Sequence, residues 1–317
     1  MNLAPKRTPY LQVIEGVPRS PSVKPEIYRE AFRFKPNEND VILVTHPKSG
    51  THWVTQILLL VLNRGRPPRD LADHIQQAPF IEMQGVPNCG KSPRLLRTHL
   101  PFGELLYNRD AKYVYVARNP YDTCVSFYYH VKGIPYYRFS DGSFKDFVDA
   151  FLEGKVGFGH HLDHVLSGYA RRHEPNIFFV TYEKLKADTA GTVLELAKFL
   201  GEPYSSLFNE DEGLLDEVFF KSSVDYMQKT YKASVEEARI IYNLPSLVPE
   251  VEAEVKKLES KAVFGPVRKG LTGNWRSHFS AEELERMQAW IEARTQGSDV
   301  MNLWRHELAG TRLTQTP

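Results

Sequence analysis

Lys48 sits in the segment Pro47-Lys48-Ser49-Gly50-Thr51-His52-Trp53, a short turn with one cation and one glycine. A turn of this type that opens a helix can hold an anion on its free N–H groups, and Gly50 lets the ligand come close to the backbone. An ordinary turn with a surface lysine is the alternative. It is not a Walker sequence, because the upstream glycine is absent and the lysine precedes Ser-Gly. Arg118 and Ser126 stand eight residues apart, about two helical turns, so a phosphate over one helix face would meet both. Taken alone, an arginine capping carbonyls and a solvated serine explain them as well.

His99, in Arg97-Thr98-His99-Leu100-Pro101, is one of eleven histidines. A lone histidine is more often structural than catalytic, and the claim of His99 rests on position: a strand end can place its imidazole in the same crevice as the anion turn. Arg268-Lys269-Gly270 is a basic pair in a loop rich in Pro and Gly. Solvated on its own, it would be a lid beside a bound phosphate. In His160-His161-Leu162-Asp163-His164, His160 and His164 would share a helix face, as a pair of metal ligands does. A Glu beside the first histidine is absent and no third ligand is evident, so no metal is expected.

These residues need elements to position them. Val41 to Thr45 (VILVT) is a β-branched run that predicts a buried parallel strand, and the dense apolar positions from Trp53 to Leu62 predict a helix. Lys112 to Ala117 predicts a second strand, then a helix through about His130 with Asn119 as N-cap and Pro120 at its first position. Ile177 to Thr181 predicts a third strand leading to a helix that ends at Gly201, and Leu95 to Thr98 a short fourth. Alternating strands and helices imply an α/β fold: a single domain, residues 1–317, built on an open parallel sheet flanked by helices. Residues 1–35 read as an irregular segment because prolines are scattered through it. The remainder of the chain reads as mainly helical, with Ala281 to Arg294 its clearest helix, and residues 230–275, rich in Pro and Gly, should include long loops over the sheet.

Composition narrows the function. Of 317 residues, 42% are apolar and 25% charged, which fits a folded soluble chain. Forty basic and thirty-nine acidic side chains leave a net charge of +1, no basis for broad attraction to nucleic acid or anionic membrane. The longest apolar run, Ile57 to Leu62, is far short of the roughly 20 residues that span a bilayer. The first ten residues have no apolar core of the secretory type, and Cys89 and Cys124 offer no disulfide framework. A cytoplasmic location is expected.

Together these segments resemble the cytosolic sulfotransferase family, which moves a sulfuryl group from 3′-phosphoadenosine 5′-phosphosulfate (PAPS) to a hydroxyl or amine. The resemblance runs from about residue 35 to 295. Pro47 to Trp53 is similar to the family's P-loop-like phosphosulfate loop, Tyr-Pro-Lys-Ser-Gly-Thr-Thr-Trp. Arg97 to Pro101 is similar to its Lys-Thr-His-Leu-Pro catalytic segment. Val116 to His130 is similar to its 3′-phosphate segment, and Arg268 to Trp275 to its Arg-Lys-Gly loop. The resemblance implies that Lys48 stabilises the leaving phosphate, that Ser49, Gly50 and Thr51 (with His52) wrap the 5′-phosphate, and that Trp53 stacks on adenine. It implies that Arg118, Ser126, Arg268, Lys269 and Gly270 hold the 3′-phosphate and that Tyr182, Ser222 and Met227 contact adenine. His99 becomes the general base, and no metal is needed because the cations are side chains.

Departures from the family pattern are specific. His52 replaces the second threonine of the loop, and Arg97 replaces the lysine of the catalytic segment, a change of reach and geometry at constant charge. The family's dimer segment, Lys-x-x-x-Thr-Val-x-x-x-Glu, appears as Arg276 to Glu285 with its Lys, Thr and Val changed, so a homodimer is not inferred from it. Pro79-Phe80-Ile81-Glu82 resembles the segment that gates the acceptor, which places Phe80, with Arg97 and His99, at a small-molecule substrate, a phenol by preference. A nucleotide kinase-like phosphotransferase or a catalytically silent nucleotide binder are the alternative functions.

Overall fold

The computed structural model describes residues 7–86, 92–105, 107–258 and 269–309. Its centre is a four-stranded sheet in the order Arg94–Thr98, Asp40–Thr45, Lys112–Ala117, Ile177–Thr181, every neighbouring pair parallel. All six residues of Asp40–Thr45 are buried, as a strand covered on both faces requires. Alternate side chains point to opposite layers. Ile42, Val44, Tyr113 and Tyr115 join one apolar cluster with Phe127 and Val165. Val41, Leu43, Val114 and Val116 join another with Ile57 and Leu58. A third cluster, around Phe80, Met227, Tyr231 and Tyr242, lies at the side of the site.

The helix after the first strand runs Thr51–Leu62, two residues earlier than its apolar pattern predicts. The helix Pro120–Gly133 starts as read: the Asn119 side chain accepts the N–H of Asp122, and Pro120 occupies the first turn, where its missing donor costs nothing. Ala281–Arg294 matches its expected span.

Two expectations are corrected, on the N-terminal stretch and on the helix before Gly201. The N-terminal stretch is not irregular throughout. A hairpin pairs Gln12–Ile14 with Val17–Arg19, turning through Glu15 and Gly16 at positive φ, and Pro25–Ala31 is a helix with proline at its start. The helix leading to Gly201 is two helices, Tyr182–Ala187 and Thr189–Leu200, because Asp188 ends the first and caps the second through the N–H of Gly191. Residues 230–275 contain the helices Val235–Ile241, opened by a Ser234–Glu237 capping box, and Pro249–Leu258.

Candidate active site

The carboxyl ends of all four strands converge, and each hands one side chain to a single crevice, as open parallel sheets do. Thr45 leads into the Lys48 turn, Thr98 into His99, Ala117 into Arg118 and Thr181 into Tyr182. A cavity of about 390 Å³ opens there. Lys48, Gly50, Thr51, His52, Trp53 and Phe80 line it, as do His99, Arg118, Ser126 and Tyr182, and also Ser222, Met227, Lys269 and Gly270.

The turn itself is built for an anion. Lys48 has φ 71° and Gly50 φ 103°, and among the described residues no side chain caps the helix that starts at Thr51. Its first-turn N–H groups therefore face the crevice with the positive end of the helix dipole behind them. A Cβ on Gly50 would meet Cδ2 of Tyr182 at 2.8 Å, so only glycine lets the turn lie against that ring. Thr51 Oγ1 is 2.7 Å from Thr45 Oγ1, which ties the turn to the strand. Ser49 is wholly buried, and its Oγ has no partner among the described residues.

Arg118 is pinned on both sides of the crevice. Its Nη1 donates to the Lys48 carbonyl at 2.9 Å and its Nη2 to the Leu271 carbonyl at 2.8 Å, and its guanidinium lies 4.3 Å from the Tyr182 ring centroid. Its Nε has no partner among the described residues. Tyr182 and Trp53 stand edge to face at 5.3 Å, an aromatic corner with Lys186 Nζ 5.7 Å from the indole. Lys269 is exposed at the mouth, and a Cβ on Gly270 would meet Val224 Cγ2 at 2.6 Å. Arg268 lies outside the described residues.

His99 is held from two directions. Its Nδ1 donates to the Thr45 carbonyl at 2.7 Å, and its backbone N–H donates to Glu82 Oε1, also at 2.7 Å. The proton on Nδ1 leaves the Nε2 lone pair as the ring's acceptor. Burial pulls the His99 pKa down to about 3, with Arg97 and Lys48 pushing the same way and the Thr45 bond opposing, so the ring is neutral at pH 7. Burial also pushes the Glu82 carboxyl up to about 7, against the His99 N–H.

Phe80 covers His99, with ring centroids 4.8 Å apart. Arg97 does not reach the cavity wall. It is wholly buried behind Phe80, 4.1 Å from that ring's centroid, with Nη1 3.4 Å from His52 Nδ1. The sequence reading missed His130, Lys186, Thr189 and Asp225, which also line the cavity. His130 is four residues after Ser126 and Lys186 four after Tyr182, so helical spacing would have found both.

The two histidines of the 160–164 stretch read as a ligand pair, His160 and His164, are engaged elsewhere. His160 Nε2 accepts from Arg294 Nη2 at 2.6 Å, and His164 Nδ1 is 2.6 Å from the Tyr115 hydroxyl. Among the described residues, no group of three or more His, Cys, Asp or Glu could hold a metal ion. No helix among them is long and apolar enough to cross a membrane.

Comparison with known proteins agrees with this site. The sulfotransferase domain family matches residues 38–299. Human sulfotransferase 1E1 is 33% identical over 279 residues, 83% of this chain and 85% of that protein. Mouse sulfotransferase 2B1 is 31% identical over 255 residues, 78% of this chain and 69% of that protein. In fold, mouse sulfotransferase SULT7A1, solved in complex with PAP, superposes with a TM-score of 0.67 at 22% identity, covering 92% of this chain and 96% of that one. Retinol dehydratase, solved with androsterone and inactive cofactor PAP, gives 0.65 at 21% identity over 86% and 87%. The matched span contains both the anion turn and the strand-end histidine, and the chain belongs to the sulfotransferase family.

Proposed function

We propose that this protein transfers the sulfuryl group of PAPS to a hydroxyl, phenolic by preference, or an amine of a small molecule, with His99 as general base. The observation that carries this reading is the convergence of the Lys48 turn, His99, Arg118 and Tyr182 from four strand ends on one cavity. The donor fits the residues present. The uncapped helix start suits a 5′-phosphate, the Trp53–Tyr182 corner suits a flat base, and Arg118, whose Nε has no partner among the described residues, suits a second phosphate.

The donor supplies a sulfur whose bond to the phosphate oxygen breaks as the acceptor oxygen bonds to it. His99 Nε2 takes the proton that the acceptor hydroxyl gives up. Lys48 and the turn N–H groups stabilise the charge that grows on the leaving phosphate. Bringing a polyanion beside His99 raises the imidazole's basicity from its low resting value, since an opposite charge favours the protonated form. Phe80 packs on the imidazole and excludes water from the proton's path. The Thr45 carbonyl keeps the proton on Nδ1 and so leaves Nε2 as the accepting nitrogen.

Incubation with sulfur-labelled PAPS and separate pools of phenols, aliphatic alcohols and amines tests the reading. Labelled product from at least one pool, without added metal, is expected. Magnesium-dependent phosphate transfer from ATP with PAPS left intact would overturn it.

A further inference from the structure

Two departures from the family's motifs meet in space. His52 stands where the phosphosulfate loop has its second threonine, and Arg97 where the catalytic segment has lysine. Arg97 Nη1 lies 3.4 Å from His52 Nδ1. A guanidinium offers only donors, so Nδ1 accepts and the proton of the neutral imidazole belongs on Nε2. That N–H is 3.5 Å from the Tyr242 hydroxyl, a long contact, and the ring lines the cavity. Arg97 itself is wholly buried, with Nε and Nη2 unpartnered among the described residues. The buried Glu82 carboxyl is the acid whose charge reaches it, but burial holds that carboxyl up at about 7, so it balances Arg97 only in part and a further anion nearby would be favourable. His52 alone of the pair lines the cavity, beside the Phe80 segment: the backbone N–H of Arg97 donates to the Pro79 carbonyl at 2.9 Å, and the His52 ring stands 6.1 Å from Phe80 and 6.2 Å from Tyr242.

We propose that His52, with Arg97 behind it, is a specificity-determining site for an acceptor that carries a carboxylate besides the hydroxyl that is sulfonated. His52 Nε2–H meets the carboxylate, and Arg97 fixes the tautomer and supplies the charge, which makes the bond charge-assisted and stronger than one to a neutral group. Phe80 packs on His99 and is flanked by His52, so the hydroxyl and the carboxylate of one small aromatic ligand would reach both imidazoles across it. The inference rests on the donor reading above.

The test uses the whole chain, first titrated calorimetrically with adenosine 3′,5′-bisphosphate, then, saturated with it, with 4-hydroxyphenylacetate or its uncharged amide. The carboxylate should bind about tenfold or more tightly than the amide. Arg97→Met should abolish the preference while nucleotide affinity holds. If that variant does not fold, His52→Gln, which keeps a donor near the same place, should retain the preference and His52→Leu lose it. Bisphosphate binding without a carboxylate preference in the wild type overturns this inference alone. No bisphosphate binding overturns the donor reading as well. A loss of nucleotide affinity in Arg97→Met would place the pair on the donor and overturn the assignment to the acceptor.

Discussion

The Nδ1 of His99 donates to the backbone carbonyl of Thr45 at 2.7 Å, so the last residue of one strand selects the tautomer at the end of its neighbour. The tautomer of this ring is thereby set by backbone geometry, through a carbonyl and not a carboxylate. The nearby acid, Glu82, acts through the main chain instead, accepting the His99 N–H.

Removing the imidazole should therefore separate chemistry from binding. His99→Ala is expected to lower turnover about 10²- to 10⁴-fold while affinity for adenosine 3′,5′-bisphosphate stays near wild type. Single-turnover rates with saturating PAPS, alongside calorimetry, measure the two. Wild-type turnover in the variant would remove His99 from the mechanism.

Gly50 is a second point of leverage. Its φ is 103°, and an added Cβ would stand 2.8 Å from Tyr182, so Gly50→Ala strains the turn and displaces the ring together. A loss of stability of about 1–3 kcal/mol is expected from the backbone alone. Nucleotide affinity should fall with it, because the anion turn and the aromatic corner share this contact. Urea unfolding read with nucleotide titration checks both, and unchanged values in each would contradict the tight fit.

Stability should fall on acidification. The pKa values of His46, His52, His74, His99, His130, His160, His161 and His164 lie below the ordinary 6.5, burial being the largest cause for each. Below 6.5 the unfolded chain takes up protons that the folded chain refuses, so their contribution is lost as pH falls. For His99, His161 and His164 the loss continues to about 3. Glu82 and Glu183 act in the opposite sense, since burial raises both and their contribution is lost as pH rises, for Glu82 toward about 7. Two glutamates do not offset eight histidines. The urea midpoint at pH 5 should lie below that at pH 7, and a higher one would contradict the buried neutral histidines.

Chelation should have no effect. His160 is engaged by Arg294 and His164 by Tyr115. Turnover is expected to survive EDTA, and His160→Ala to retain most activity. Zinc-restorable loss on chelation would contradict this.

Much of the sheet and the site was legible because its signals are local. The VILVT and KYVYVA runs declare buried strands, and the Lys48, His99, Arg118 and Tyr182 motifs sit within a few residues of a strand end. The supports of those motifs were not legible. Glu82 reaches the His99 N–H across 17 residues, Glu183 reaches that of Asn119 across 64, and Asp122 reaches that of Gly273 across 151. No spacing rule announces such partners, since only the assembled sheet brings them together. The contact between His52 and Arg97 is of the same kind: both residues stood out in the sequence, and their meeting did not. The bounds of the helix Val235–Ile241 had a readable start signal in the Ser-x-x-Glu capping box, set within a stretch whose prolines and glycines signal loops.

The most direct measurement compares the affinity of adenosine 3′,5′-bisphosphate with that of adenosine 5′-monophosphate, in the wild type and in Arg118→Ala. Arg118 is 8% exposed and held by two carbonyls, with no anion among those bonds. A 3′-phosphate would satisfy it, and a buried charge left unpaired costs about 3–5 kcal/mol. The wild type should prefer the bisphosphate by about 10²- to 10³-fold. Arg118→Ala should weaken the bisphosphate toward the monophosphate, which loses far less, its smaller loss coming from the Lys48 carbonyl and the Tyr182 ring that Arg118 holds. Equal affinity of the wild type for the two nucleotides would contradict the 3′-phosphate pocket, and with it PAPS as the donor.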